Sequence, residues 1–200
     1  MDPEMRRVVH EAEVAARRGW NDSDVAALAA ATFPLRVDES ELQRLLNLPI
    51  ADHGFREDVF TTDPAFHASV FALKQNETIP LHDHPSLDVI TKVLRGRVRV
   101  RTYEWLDEAN LIARERGEAV IGENDEALVL RKWPGTLHTV TALEAAAFLD
   151  LFAPYYDDDL RPCRYYKIAG LPDCHVSERA PRQAGNSVTL RVVSWEESRE

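Results

Sequence analysis

The chain has 200 residues, 44% of them hydrophobic and 29% charged, enough to bury one apolar core without disulfide staples. Its formal charge of −10 repels phosphate polymers and anionic lipid, which argues against nucleic acid and membrane as partners. Cys163 and Cys174 form no C-x-x-C pair and are too few for a secreted disulfide framework, so both are expected as reduced thiols.

The opening stretch, MDPEMRRVVHEAEVAARRGW, has no apolar segment after its basic residues. No later stretch approaches the roughly 18 uncharged apolar residues of a membrane span, and a soluble cytoplasmic protein is expected. Residues from 1 to about 50 read as a helical segment, with apolar positions at helical spacing such as Leu42, Leu45 and Leu46. Asp38 and Glu41 stand at capping-box spacing before the last of these helices.

From about residue 60 the texture changes to short Val-, Ile-, Leu- and aromatic-rich segments, bounded by Asn76, Pro80, Gly96, Gly122 and Pro134, the pattern of an antiparallel β-barrel. Arg97 to Arg101 alternate strictly with valine, which predicts an apolar face and a basic, solvated face on one strand. Apolar runs at Ala127–Leu130, Ala145–Phe152 and Val188–Trp195 complete two facing sheets in a jelly roll, and Val176–Asn186 reads as a loop before the last strand. With no repeat, linker or low-complexity tract, a single domain is expected over 1–200, most simply as a monomer.

Within the barrel region, His82-Asp83-His84 places two imidazoles on one face of an extended segment. An H-x-H arises easily by chance and is weak alone. Here a strand's length separates it from Gly96, and Pro134-Gly135-Thr136-Leu137-His138 opens another β-run some fifty residues on, a tight turn that aims His138 inward. The standard nucleotide, hydrolase and metalloprotease motifs are absent, which leaves metal chemistry on His82, His84 and His138 without a strong competitor. His10, His53, His67 and His175 read as structural or surface residues, with His53 the first exception to consider.

This layout looks like the paired motifs of cupins. Four stretches make the resemblance more specific: Ile79-Pro80-Leu81-His82-Asp83-His84-Pro85; Lys92-Val93-Leu94-Arg95-Gly96 leading to Tyr103-Glu104-Trp105; the His138 turn; and Asp150 to Tyr156 followed by Arg161-Pro162-Cys163-Arg164-Tyr165-Tyr166. Over roughly Phe66–Ile168 the chain resembles the cysteamine dioxygenase and plant cysteine oxidase family.

The resemblance implies a mainly β fold, a cupin double-stranded β-helix (jelly-roll) barrel behind an N-terminal helical segment. It implies one Fe(II) per chain on three histidines, with O2 and a small aminothiol or an N-terminal-cysteine peptide as substrates. It places Asp150 and Tyr156 near the substrate end of the pocket, and Cys163 and Tyr165 where some members form a thioether link. Read from residue type alone, Asp150 could instead cap a turn, Tyr156 and Cys163 could be packing residues, and Cys163 and Tyr165 could merely share a strand face. Asp157-Asp158-Asp159 could attract cationic substrates or form a solvated loop.

The chain departs from that family at two positions. Asp88 stands where general cupins carry a carboxylate ligand, and Ser86 replaces the glycine that commonly follows H-x-H-P. If Asp88 were a fourth ligand, harder metal chemistry by a dioxygenase or isomerase on a carbon substrate would be the alternative; read otherwise, Asp88 accepts a ligand histidine N–H or faces solvent at the strand start. A non-catalytic cupin binding or sensor protein is the other alternative.

Overall fold

The computed structural model describes residues 2–51, 54–63, 65–132, 137–154, 162–169 and 187–193. Helix α1 (Pro3–Arg17) starts where Asp2 Oδ1 accepts the Glu4 N–H at 2.8 Å, and α2 (Asp22–Thr32) starts with a reciprocal capping box between Asn21 and Asp24. Helix α3 (Glu39–Leu46) starts where Asp38 Oδ1 accepts the Glu41 N–H at 2.8 Å. No helix of the described residues is long and apolar enough to cross a membrane.

Eleven strands follow among the described residues: β1 (Arg56–Asp63), β2 (Phe66–Leu73), β3 (Thr78–His82), β4 (Asp88–Arg95), β5 (Arg97–Asp107), β6 (Ile112–Gly122), β7 (Leu128–Leu130), β8 (Leu137–Ala142), β9 (Ala146–Ala153), β10 (Tyr165–Ile168) and β11 (Ser187–Val193). One antiparallel sheet has the order β1-β2-β9-β4-β7. The other, β10-β11-β6-β5-β8-β3, closes on itself because β3 pairs back with β10. Closure removes the exposed edges that a β-protein must otherwise protect.

Alternation on β9 fixes what lies on either side of the first sheet. Ala147, Leu149 and Leu151 pack outward with Met5, Val8, Val25, Leu28, Leu42 and Leu45 of the three helices. Burial of such side chains stabilises the fold by roughly 2 kcal/mol each. Ala146 and Phe148 point the other way and join Val93, Val98, Val100 and Val140 in a core between the two sheets. Asp150 and Phe152 continue that inner face by strand periodicity.

The β4–β5 turn requires glycine at position 96. Its φ is +78°, and a Cβ there would lie 2.2 Å from the Ala145 carbonyl oxygen. On β5, Val98 and Val100 are buried as the alternation predicts, but the arginine face is ion-paired as well as solvated. Arg97 pairs with Glu144, Arg99 with Glu118, and Arg101 with Glu115 and Glu118. Glutamates on neighbouring segments thus neutralise the row that could otherwise have gathered anions.

Candidate metal centre

His82 comes inward through an irregularity in β3. Ile79 pairs with Val140 of β8, yet three residues later His82 pairs with His138, only two residues back along β8. The extra residue reverses the parity of the strand, so that Leu81 enters a separate apolar cluster with Tyr103, Leu137 and Tyr166. His82 thereby shares the inner side with Ile79 and meets His138 across the ladder.

His84 is held by the next turn. Leu87 N–H donates to the His84 carbonyl at 3.1 Å, Pro85 occupies the second position, and Ser86 takes φ +61° at the third. Glycine is the preferred residue for a positive φ at that position behind a proline, so the departure at Ser86 is a locally strained choice.

The ligating nitrogens of His82, His84 and His138 all lie within 4.8 Å of one another, and all three residues are buried. Their ring centroids are separated by 4.3 Å (His82 to His138), 4.8 Å (His82 to His84) and 5.0 Å (His84 to His138). His82 Nδ1 lies 2.8 Å from the Pro80 carbonyl, which fixes its proton there and leaves Nε2 with its lone pair. Burial holds His82 below the ordinary imidazole range, and burial together with the other two rings holds His84 well below it. Three convergent imidazoles with no carboxylate in the group fit a divalent transition metal and fit a hard alkaline-earth ion poorly.

The inner faces of β1, β2, β4 and β9 build the chamber beside these rings. Phe152 lies 5.5 Å from the His84 ring and 5.5 Å from the His67 ring. Asp150 sits between Ser69 of β2 and Thr91 of β4 in the ladder, is only 7% exposed, and accepts a hydrogen bond from Thr91. Its Oδ1 has no hydrogen-bond partner among the described residues. Burial, and secondarily Glu57, push this carboxyl up to about 7 against the opposing Thr91 bond.

His67, Ser69 and Glu57, which residue type alone does not single out, also face the chamber through their ladder pairing with Phe152, Asp150 and Phe71. His67 Nε2 lies 3.1 Å from Glu57 Oε1 and 2.5 Å from Ser69 Oγ. His67 is therefore an interior residue and not a surface one. The period-two run His67, Ser69, Phe71 was the available signal, since it assigns all three to one face.

Tyr165 pairs with His82 in the sheet, with the rings 6.1 Å apart, and its hydroxyl is hydrogen-bonded to the Cys163 thiol. Burial first, then the Cys163 thiol, raises the phenol above its usual range. Asp88 does not join the histidines. It is 1% exposed, its Oδ1 accepts the Lys132 N–H at 2.8 Å, and Arg131 Nε stands 3.4 Å away. The Tyr103-Glu104-Trp105 stretch is engaged elsewhere, although Tyr103 pairs with Leu137 next to His138: Glu104 is bound by Arg114 and Arg116, and Tyr103 belongs to the cluster around Leu81. Tyr156, His53, Cys174, His175, the Pro134-Gly135 turn, Asp157 to Asp159 and Val176 to Asn186 lie outside the described residues.

A family model described as PCO_ADO matches residues 55–198. The chain is 36% identical over 137 residues to a 2-aminoethanethiol dioxygenase of Homo sapiens, covering 55% of this chain and 50% of that protein. It is 29% identical over 109 residues to plant cysteine oxidase 2 of Arabidopsis thaliana, covering 50% and 40%. The chain thus spans half or less of the length of these curated relatives. Among solved structures, a cupin superfamily protein of Desulfitobacterium hafniense aligns with a TM-score of 0.41 at 10% identity, covering 54% of this chain and 84% of that one.

Proposed function

The chain belongs to the PCO_ADO family, and on that premise we propose that it is a cupin thiol dioxygenase with one Fe(II) on His82, His84 and His138. Its substrates are O2 and a small aminothiol or the N-terminal cysteine of a peptide. The observation that carries this reading is the cluster of three buried imidazoles with no carboxylate among them.

The reaction adds both atoms of O2 to one sulfur, R–SH + O2 → R–SO2H, an oxidation step that most thiols cannot reverse. Iron held by three neutral imidazoles keeps its full positive charge, which supplies the acidity that makes a thiolate and the redox chemistry of O2. The chain supplies the rest. Asp150 receives the substrate's ammonium, a charge that relieves the burial cost of the carboxylate. Phe152 and Phe71 line the inner face with apolar surface and keep water from the sulfur. Tyr165, tied to Cys163, borders the histidines, and Tyr156 is assigned a hydrogen-bond donor role toward the reacting oxygen atoms. A single cytoplasmic domain acting as a monomer completes the proposal.

The test is anaerobic reconstitution with Fe(II), followed by oxygen uptake and product mass with cysteamine, free cysteine and a cysteine-initiated peptide. Gain of two oxygen atoms on one thiol, lost together with bound iron in His138→Ala, is the expected result. Asp150→Asn is expected to raise KM while iron stays bound. Absence of uptake with every thiol by iron-loaded protein sinks the reading.

A further inference from the structure

The two segments that carry the site residues are interleaved with a second set of residues facing the opposite way. His82 and His84 flank Asp83, while Cys163 and Tyr165 flank Arg164. Extended backbone turns neighbouring side chains to opposite faces, so the residues between the site residues point out of the chamber. There they bind each other. Arg164 donates to the Asp83 carboxylate from its backbone N–H at 2.9 Å, from Nε at 3.0 Å and from Nη2 at 2.6 Å. The Tyr166 hydroxyl donates to the same carboxylate at 2.7 Å, and Asp83 N–H donates to the Arg164 carbonyl at 3.1 Å.

We propose that Asp83, Arg164 and Tyr166 form a clamp that positions the Cys163–Tyr165 pair against the three histidines, so that residues outside the chamber set the geometry inside it.

Three observations support a positioning role over a general contribution to stability. The sheet joins β3 to β10 at a single paired position, Tyr165 with His82, so the side-chain bonds carry most of the connection. Asp83 is 2% exposed, and a buried carboxylate with four donors in a low-dielectric setting holds its geometry tightly. Tyr166 is itself fixed from behind, 1% exposed and edge-on to Trp105 at 5.5 Å, so the clamp rests on the apolar cluster and not on solvent. Arg164 also reaches Glu108, which is half exposed and lies at the periphery of the network.

The inference rests on the proposed thiol oxidation only for its kinetic consequence, and its test has an arm independent of that activity. In a Cys174→Ser background, metal-free protein is labelled at Cys163 with a maleimide, and the labelling rate reports how firmly the pair is held. Arg164→Gln is expected to raise this rate about tenfold by freeing local opening. In iron-loaded enzyme the same substitution is expected to lower kcat by roughly 10- to 100-fold, as small misplacements do, with KM and iron stoichiometry little changed. Arg164→Lys keeps the charge without the fork and is expected to fall between the two, while Glu108→Gln leaves both rates unaltered.

Should Arg164→Gln fail to fold, Tyr166→Phe removes one hydroxyl without changing the packing and is expected to raise labelling several-fold. Unchanged labelling in every folded clamp variant overturns the proposal. So does loss of iron in parallel with kcat, since the clamp would then be supporting the ligands and not the pair. If the wild-type protein oxidises no thiol, the labelling arm still decides the clamp, and only the proposed function falls.

Discussion

Asp150→Asn is expected to stabilise the metal-free protein at alkaline pH and to have little effect in acid. Burial raises this carboxyl from 3.8 to about 7, so the folded chain keeps a proton that the unfolded chain has already released. The acid therefore contributes fully to stability below its unfolded value, and the contribution declines as pH rises toward about 7. Above that point the folded state carries the whole cost of a buried carboxylate. The shift corresponds to ~4 kcal/mol, an upper figure for a site that water can reach. Asparagine is nearly isosteric, can still accept the Thr91 hydrogen bond, and has no charge to bury. Urea unfolding of both proteins in chelator at about pH 4.5, about pH 6 and about pH 8 isolates the effect, because other titrating groups cancel in the difference. With an m-value of ~2 kcal/mol/M, the midpoint gap should grow to nearly 2 M at the highest pH. A gap that is constant with pH, or a variant less stable than the parent at about pH 8, refutes the reasoning.

Two other substitutions test the surroundings of the histidines. Ser86→Gly removes a side chain from a backbone held at φ +61° and is expected to stabilise by ~1 kcal/mol, raising Tm by about 2–4 °C in calorimetry; a fall in Tm would show that the serine side chain is needed there. Asp88→Ala is expected to retain bound iron while losing about 1–3 kcal/mol of stability, because the Lys132 N–H and Arg131 lose their acceptor. Loss of metal in elemental analysis, with the fold intact, would return Asp88 to the ligand set.

Much of this arrangement was legible in the chain because period-two alternation survives in the sequence. It assigned Val98 and Val100 to the core, separated His82 and His84 from Asp83, and was available for His67, Ser69 and Phe71. What alternation alone cannot show is a break in its own period. Counting by twos from Ile79 sends His82 outward, and only the extra residue in β3 brings it in. Pro80 was a hint, since proline within a strand favours edges and bulges. Cross-strand partnerships are invisible for a different reason: Asp83 and Arg164 lie eighty-one residues apart, and nothing local to either announces the other. The same holds for Asp88, whose partners Arg131 and Lys132 become neighbours only when β4 pairs with β7.

Several of the rule-breaking features border the histidine chamber. A non-glycine residue at positive φ, a strand with an extra residue, and a carboxyl buried without a full set of partners all lie on or beside the segments that build the histidine chamber. On the opposite face of the same sheet the helices bury Leu149, Leu151, Val70 and Ile90 in an apolar layer, beside which Lys92 is buried with its ammonium donating to the Glu123 and Asp125 carbonyls. A domain of this size has only about 5–15 kcal/mol of net stability, so ~4 kcal/mol at Asp150 and ~1 kcal/mol at Ser86 are a large share of it. Burial of the helical layer against the sheet offsets that share. Stabilising the chamber itself, by Asp150→Asn, removes a buried carboxyl whose Oδ1 has no hydrogen-bond partner among the described residues and to which the proposed function assigns the substrate amine. Stability and substrate affinity are therefore expected to move in opposite directions at Asp150, and to move independently at Ser86, where only the backbone is strained.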